Sequence, residues 1–336
     1  MFNLNIKNMK TLILAKSLIK KGFVLAFLFA ISLVYSQSTP KKNDITPIDS
    51  TYFAKDRLKG KVVIITGAAR GIGRATAIRA SKEGALVVIA DWLEKEGNAT
   101  AKTIEANGGK VLFVKTDIRS TEDCKKLVSE TIKKFGKLDG AVLNAGVMDG
   151  IHSGDPLDYD KQTALLPAAV DAATDEYWDF VFDVNATGTF KSMRSVLKQL
   201  LKEGKGGSIV TVGSIAGLTG LAGNPAYVAS KYAVNGLTKN AAIDYAPYGI
   251  RVNSVNMAAT KTPMTDKAFE FVKEVKKRGI TGMGGAKTES LLMQNDSKHR
   301  MSTPWEQASV ILFLLSDEAS NLTGGTYATD GGWTAY

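Results

Sequence analysis

The sequence predicts a single doubly wound α/β domain, a parallel sheet with helices on both faces. Three observations carry that expectation. From Gly60 onward, short apolar runs alternate with longer amphipathic segments, the pattern of strand–helix–strand units. The first run leads straight into a glycine-rich turn, Thr66-Gly-Ala-Ala-Arg-Gly-Ile-Gly73. The composition, 44% hydrophobic and 23% charged over 336 residues, is that of a globular chain able to bury a large core.

The elements follow in order. Lys61–Thr66 carries Val-Val-Ile-Ile, a continuous apolar run suited to a strand buried on both faces. Gly71–Glu83 is the first helix, Leu86–Ala90 the second strand, Glu94–Ala106 a helix and Lys110–Thr116 the third strand. Thr121–Phe135 is helical and Leu138–Leu143 is the fourth strand. After a long loop, Thr174–Leu201 is predicted as helical, Ser208–Val212 as strand five and Asn224–Ala246 as a further helix. Arg251–Val255 is strand six, Pro304–Ser316 a helix and Thr326–Thr329 a last strand. Thr265–Arg300, with Gly282, Gly284 and Gly285, is expected to form a mobile lid.

Charge is concentrated at the start of the chain. Residues 1–42 hold seven lysines and no acid, so the net charge of +10 falls to +3 for the remainder. No basic face argues for nucleic acid. Cys124 is the only cysteine, which excludes a disulfide within the chain, and with two histidines, His152 and His299, no metal site is expected. Lysines 7, 10, 16, 20 and 21 precede the twelve-residue apolar run Phe23–Val34. Val34 and Ser36 suit the −3 and −1 positions of a cleavage site, so residues 1–36 read as an export signal or anchor. The run is shorter than the roughly 20 residues that span a bilayer. Residues 37–55 read as a linker and 56–336 as the domain. The expected location is exported, periplasmic or secreted, or membrane-anchored through the leader, with a cytoplasmic protein as the alternative.

The glycine turn points to a dinucleotide. Gly67, Gly71 and Gly73 let the backbone turn tightly and approach a pyrophosphate. The helix beginning near Gly71 aims free N–H groups at the phosphates, which makes Gly67, Arg70, Gly71, Ile72 and Gly73 candidate contacts. Asp91 ends the second strand, where a carboxylate accepts both ribose hydroxyls and repels a 2′-phosphate. NAD rather than NADP is therefore expected, although Arg70 and Arg74 pull the other way. Asp117, with Ile118 beside it, suits the adenine.

Tyr227 and Lys231 stand four residues apart in Tyr-Val-Ala-Ser-Lys and so share one helix face, thirteen residues after Ser214. A nearby ammonium is expected to lower a tyrosine pKa that is ordinarily about 10 and fit it for acid–base work.

Taken together, Thr66–Gly73, Asp117, Asn144-Ala-Gly146, Asn185, Ser214, Tyr227-x-x-x-Lys231 and Asp330-Gly-Gly332 resemble the short-chain dehydrogenase/reductase family, from about Leu58 to Tyr336. The resemblance implies a Rossmann-type fold, a catalytic tetrad of Asn185, Ser214, Tyr227 and Lys231, and a homotetramer or dimer. It also implies that Lys231 holds the nicotinamide ribose, that Asn185 positions a helix kink and a water for a proton relay, that Asn144, Ala145 and Gly146 line the cofactor cleft, and that Thr262 bonds the carboxamide. The implied activity is hydride transfer between NAD(H) and a secondary alcohol or ketone, such as a cyclic alcohol, steroid or sugar derivative. The alternatives are an NADPH-linked 3-oxoacyl reductase and a non-catalytic nucleotide-binding sensor. Two features depart from the family. Met257-Ala258 follow Asn256 where Pro-Gly is usual, and the Asp-rich segment Met148–Thr174 lengthens the connection between Asn144 and Asn185. That segment is expected either to shape the substrate pocket or to make a subunit contact.

Overall fold

The computed structural model describes residues 43–277 and 291–335, together with the helical Lys16, Leu18, Lys20 and Lys21. Among these residues seven strands form one parallel sheet in the order β3-β2-β1-β4-β5-β6-β7. They are β1 Val62–Thr66, β2 Leu86–Asp91, β3 Val111–Lys115, β4 Gly140–Leu143, β5 Gly207–Val212, β6 Ile250–Met257 and β7 Thr326–Thr329. The chain builds outward from β1 to β3 and then returns to lay β4 against the other side of β1. That reversal opens a crevice beyond the carboxyl ends of β1 and β4, where doubly wound sheets bind their ligands.

Helices cover both faces: α1 Gly71–Lys82, α2 Glu94–Ala106 and α9 Pro304–Leu315 on one, α3 Thr121–Phe135, α5 Thr189–Glu203 and α6 Pro225–Tyr245 on the other. Successive residues of β1 point to opposite faces. Val63 and Ile65 therefore join Ala77, Ile104 and Ile311 in one core, while Ile64 joins Leu127, Met193 and Ala241 in the second. With both faces buried, a strand is apolar throughout, which is why the runs were continuous rather than alternating.

The predicted boundaries hold or shift by a residue or two. The exception is Thr174–Leu201, which is not one helix. It divides into α4 Asp175–Phe182, a π-helical segment Asp183–Gly188, and α5. Apolar residues continue through all three pieces, so sequence periodicity carries no mark of the wider turn.

The compact unit carrying the sheet begins at Ile45, earlier than the boundary expected at 56. The end of the supposed linker, through Tyr52 and Ala54, packs onto a buried ion cluster of the domain. Glu83 pairs with Arg79 at 2.8 Å and with Arg57 at 3.2 Å, and it accepts the Ala54 N–H at 3.0 Å. The Arg79 guanidinium lies 5.0 Å from the Tyr52 ring centre. Apart from the four helical residues, the leader lies outside the described residues. So do residues 278–290 of the expected lid, with Gly282, Gly284 and Gly285. The flanks of that lid are α7 Pro263–Lys277 and α8 Leu291–Asn295. Among the described residues no helix is long and apolar enough to cross a membrane.

Candidate active site

The glycine turn lies at the crevice between β1 and β4. Gly67 takes φ +64°, and a Cβ on Gly73 would sit 2.1 Å from the Gly67 carbonyl oxygen, so neither position admits a side chain. Asn144 fastens the turn to β4: its Nδ2 donates to the carbonyls of Thr66 and Gly67, both at 3.0 Å. Arg70 at the N-cap of α1 makes no side-chain cap, and the first turn of the helix holds no acid. The first-turn N–H groups and the positive dipole end are thus left for an anion. On the facing wall Asp91 is only 8% exposed. Its carboxylate accepts the N–H groups of Ala69 at 2.9 Å and Leu93 at 3.0 Å. Burial raises its pKa, with those amides and Arg70 acting against the rise.

Gly67, Arg70, Gly71, Ile72, Asp91, Asp117, Ile118, Asn144, Ala145, Gly146 and Thr262 all line one cavity of about 390 Å³, which also reaches Ser214, Tyr227 and Lys231. Gly73 and Arg74 do not line it: Gly73 packs beneath the turn, and Arg74 lies one helical turn beyond the anion end of α1. Asp117 is less free than expected. Arg119 grips both its oxygens, at 2.6 to 3.1 Å, and that guanidinium outweighs burial to hold the carboxyl below its ordinary pKa. Oδ1 also accepts the Arg119 backbone N–H at 2.9 Å, so an adenine amino group would have to compete with Arg119 for this carboxylate. The uncapped helix end, the glycine cradle and the ribose-facing carboxylate fit a dinucleotide.

The four tetrad positions converge. Asn185 stands on the π-helical segment, completely buried, where its amide bonds both backbone groups of Val147 (N–H at 2.8 Å, C=O at 2.9 Å) and the Ser230 hydroxyl at 3.0 Å. It therefore ties the chain beyond β4 to α6. A Cβ on Gly146 would lie 3.1 Å from Asn185 Oδ1 and 3.4 Å from Lys231 Nζ, which places all three side by side. Lys231 Nζ donates to the Val212 carbonyl at 2.9 Å and sits 5.6 Å from the Tyr227 ring centre. Ser214 is held from behind by a buried amide network. Asn256 Oδ1 accepts the Ser214 N–H at 3.2 Å and an Asn235 amide hydrogen at 2.9 Å, and Asn235 also bonds Gly217 and Ser254. Asn235 and Asn256 were missed as positioning residues, because a buried asparagine and a surface one look alike in sequence.

The expected lowering of the Tyr227 pKa is corrected. Tyr227 is 7% and Lys231 4% exposed, and loss of hydration dominates both. Burial raises Tyr227, with the Ser214 hydroxyl acting against it, and brings Lys231 down to about 8. The ammonium alone does not offset the burial of the phenol.

The remainder of the cavity wall is chiefly apolar. Met257 and Ala258, which replace the family's Pro-Gly, form part of it, with Met264, Phe269 and Phe271 of α7 and Trp333 from the last turn. The extra segment beyond β4 contributes Met148, Asp149, Ser153, Tyr159, Leu166 and Pro167. It therefore shapes the pocket. Trp333 and Tyr159 were not foreseen; nothing local in the sequence signals a side chain brought in from a distant turn.

The model of the short chain dehydrogenase family matches residues 61–273. The chain is 39% identical over 289 residues to a 3beta-hydroxysteroid dehydrogenase of Mediterraneibacter gnavus, covering 84% of this chain and 98% of that one. It is 36% identical to a cyclohexanol dehydrogenase of Acinetobacter sp., covering 83% and 97%. The solved structure of levodione reductase superposes with a TM-score of 0.70 at 29% identity, over 83% of this chain and all of that one. The chain belongs to the short-chain dehydrogenase family and is an NAD(P)-dependent oxidoreductase acting on CH–OH groups.

Proposed function

We propose that the protein interconverts a ring-borne secondary alcohol and its ketone with NAD as cofactor, Tyr227 serving as general acid/base. The observation that carries this reading is the meeting of Ser214, Tyr227 and Lys231 at a cavity whose one end is a dinucleotide cradle and whose other end is apolar. In the oxidising direction the Tyr227 oxygen takes the carbinol proton while the Ser214 hydroxyl holds the same oxygen in place. The Lys231 ammonium stabilises the phenolate, and Asn185 fixes the backbone of Val147 and the position of α6 around it. A bound nicotinamide supplies the hydride acceptor or donor. The end of α1 would hold the pyrophosphate, Asp91 the adenosine ribose, Lys231 the nicotinamide ribose and Thr262 the carboxamide. The apolar wall excludes water and suits a compact alicyclic substrate, in keeping with the alcohols named for the relatives.

Tyr227→Phe tests the reading. A well-placed acid/base contributes about 10²–10⁴ in rate, so turnover should fall by at least that much while cofactor binding, read by fluorescence titration, persists. Retained turnover in the variant would sink it. Asp91 supports NAD over NADP, and against the NADPH-linked 3-oxoacyl alternative, because a 2′-phosphate would face a buried carboxylate. A preference of on the order of a hundredfold in kcat/KM, about 2.7 kcal/mol, is expected. Equal kinetics with the two cofactors would show that Arg70 governs instead. The reading extends to a homo-oligomer and to export or anchoring by residues 1–36. A mature chain beginning at Gln37 in the exported fraction would support the latter; an intact leader in soluble cytoplasm would overturn it.

A further inference from the structure

The extra segment beyond β4 reaches further than the substrate end of the cavity. In the sheet, β4 and β2 lie on opposite sides of β1, so contact between the chain after β4 and the β2–α2 connection spans the crevice at the carboxyl end of β1. His152 makes that contact. Its ring stacks on Trp92, the residue after β2, with centres 4.8 Å apart and planes inclined at 23°. It also meets the Phe180 ring of α4 edge-on at 4.8 Å. The Arg119 guanidinium lies 5.5 Å from the Trp92 ring centre and 5.2 Å from that of Phe180. Two residues on, a Cβ at Gly154 would lie 3.2 Å from Leu93 Cδ2, so the backbone itself closes on the connection. These groups border the adenosine end of the cleft: Asp91 precedes Trp92, Arg119 grips Asp117, and Trp92, Leu93 and Ser153 line the same cavity as both acids.

The segment is fastened at its base and lightly held at its tip. Near the base Gly150 N–H donates to the Leu165 carbonyl at 2.7 Å, and Asp149 pairs with Lys267 of α7 at 2.8 Å. At the tip, among the described residues, no hydrogen bond joins residues 152–154 to Trp92 or Leu93. Ring and van der Waals contacts hold it there, and these can part without leaving a polar group unpaired. We propose that His152 and Trp92 close the adenosine end of the cofactor cleft, so that the extra segment retains NAD(H) and must lift from Trp92 for its exchange. This rests on the cofactor reading above and gives a role to a segment that lengthens the family pattern. A cover closed over the free and the occupied cleft alike slows entry and departure by one factor, the fraction of time it stands open, and leaves affinity nearly unchanged. A side chain that merely touched the adenosine would act on departure alone.

The test measures association and dissociation rates of NADH and NADPH by stopped-flow fluorescence, with the full chain and no substrate. His152 is exposed, so its replacement leaves the core intact. His152→Ala should raise both rates of the dinucleotide that binds by about fivefold, the scale of one aromatic pair, with Kd nearly unchanged. His152→Phe keeps a ring on Trp92 and should stay close to the parent in both rates. A His152→Ala variant with unchanged rates, or with only one of them altered, overturns the assignment. So does a His152→Phe variant that exchanges as fast as His152→Ala. Binding with rates indifferent to residue 152 would leave the cofactor reading standing and remove this one. A parent chain that binds neither dinucleotide would remove both.

Discussion

Tyr227 and Lys231 share one buried face of α6, and burial acts on their charged forms from opposite sides. The phenolate is disfavoured, so the base needed for oxidation forms only as pH rises. Oxidation should therefore climb from neutral into alkaline solution and reduction should favour the lower end; an oxidation rate flat across that range would argue against Tyr227 as the base. Lys231 has a consequence for stability as well. Its pKa of about 8 in the fold lies below the ordinary 10.5, so below about 8 the charged, desolvated lysine burdens the folded state in full. Between the two values the folded lysine loses its proton while the unfolded one keeps it, and stability rises with pH. The burden at neutral pH is on the order of 3 kcal/mol, partly offset by a bond to Val212 worth about 1 kcal/mol. Lys231→Met should accordingly be inactive yet melt several degrees higher at neutral pH, with the difference shrinking in alkali; a lower melting temperature would refute this account. The identity of the pair was plain from its spacing. The direction of the tyrosine shift was not, because burial is a property of the fold and not of the neighbour in sequence.

At the scale of elements, the strands and the glycine turn could be read because each is written locally: a continuous apolar run, or a position where a side chain would strike the backbone. The π-helical segment at Asp183–Gly188 could be read only through the resemblance, as a helix kink at Asn185, since its residues keep the apolar spacing of the helices on either side and only the hydrogen-bond register changes. The arm before β1 was misjudged for a related reason. Its polar composition resembles a linker, and its partners Arg79 and Glu83 lie beyond the first strand, on α1 and at its C-cap. Glu83 is completely buried between two arginines, and removing one member of a buried ion cluster typically costs about 3–5 kcal/mol. Glu83→Gln should lower the melting temperature by on the order of ten degrees and expose residues 45–57 to protease. A variant as stable as the parent would show that the arm is not tied through this cluster.

For the whole molecule the open quantity is assembly. The apolar side chains that α4, α5 and α6 turn away from the sheet are still exposed in the single chain: Trp178 at 40%, Phe190 at 45%, Tyr232 at 47% and Ile243 at 77%. Trp178 also stacks on Phe182 at 5.7 Å, which extends an aromatic surface along α4. These helices already bury one face against the cores, α4 through Tyr177 and Val181 and α5 and α6 through residues such as Met193 and Ala241, so a second apolar face has no use within the domain. Large exposed apolar patches on soluble proteins mark contacts with other molecules, and a two-fold axis lets one such surface cover itself. The family resemblance implies packing through the same two helical regions, Thr174–Leu201 and Asn224–Ala246. The protein should therefore be a dimer or tetramer at micromolar concentration by light scattering. Ile243→Glu together with Tyr232→Glu should reduce the molar mass to a smaller species, because two carboxylates facing their own copies lose hydration without gaining a partner. Both residues are exposed and neither lines the cofactor cleft, so the sheet should still fold and its far-ultraviolet dichroism should be retained. A parent chain that scatters as a monomer, or a double variant of unchanged mass, would place the assembly surface elsewhere.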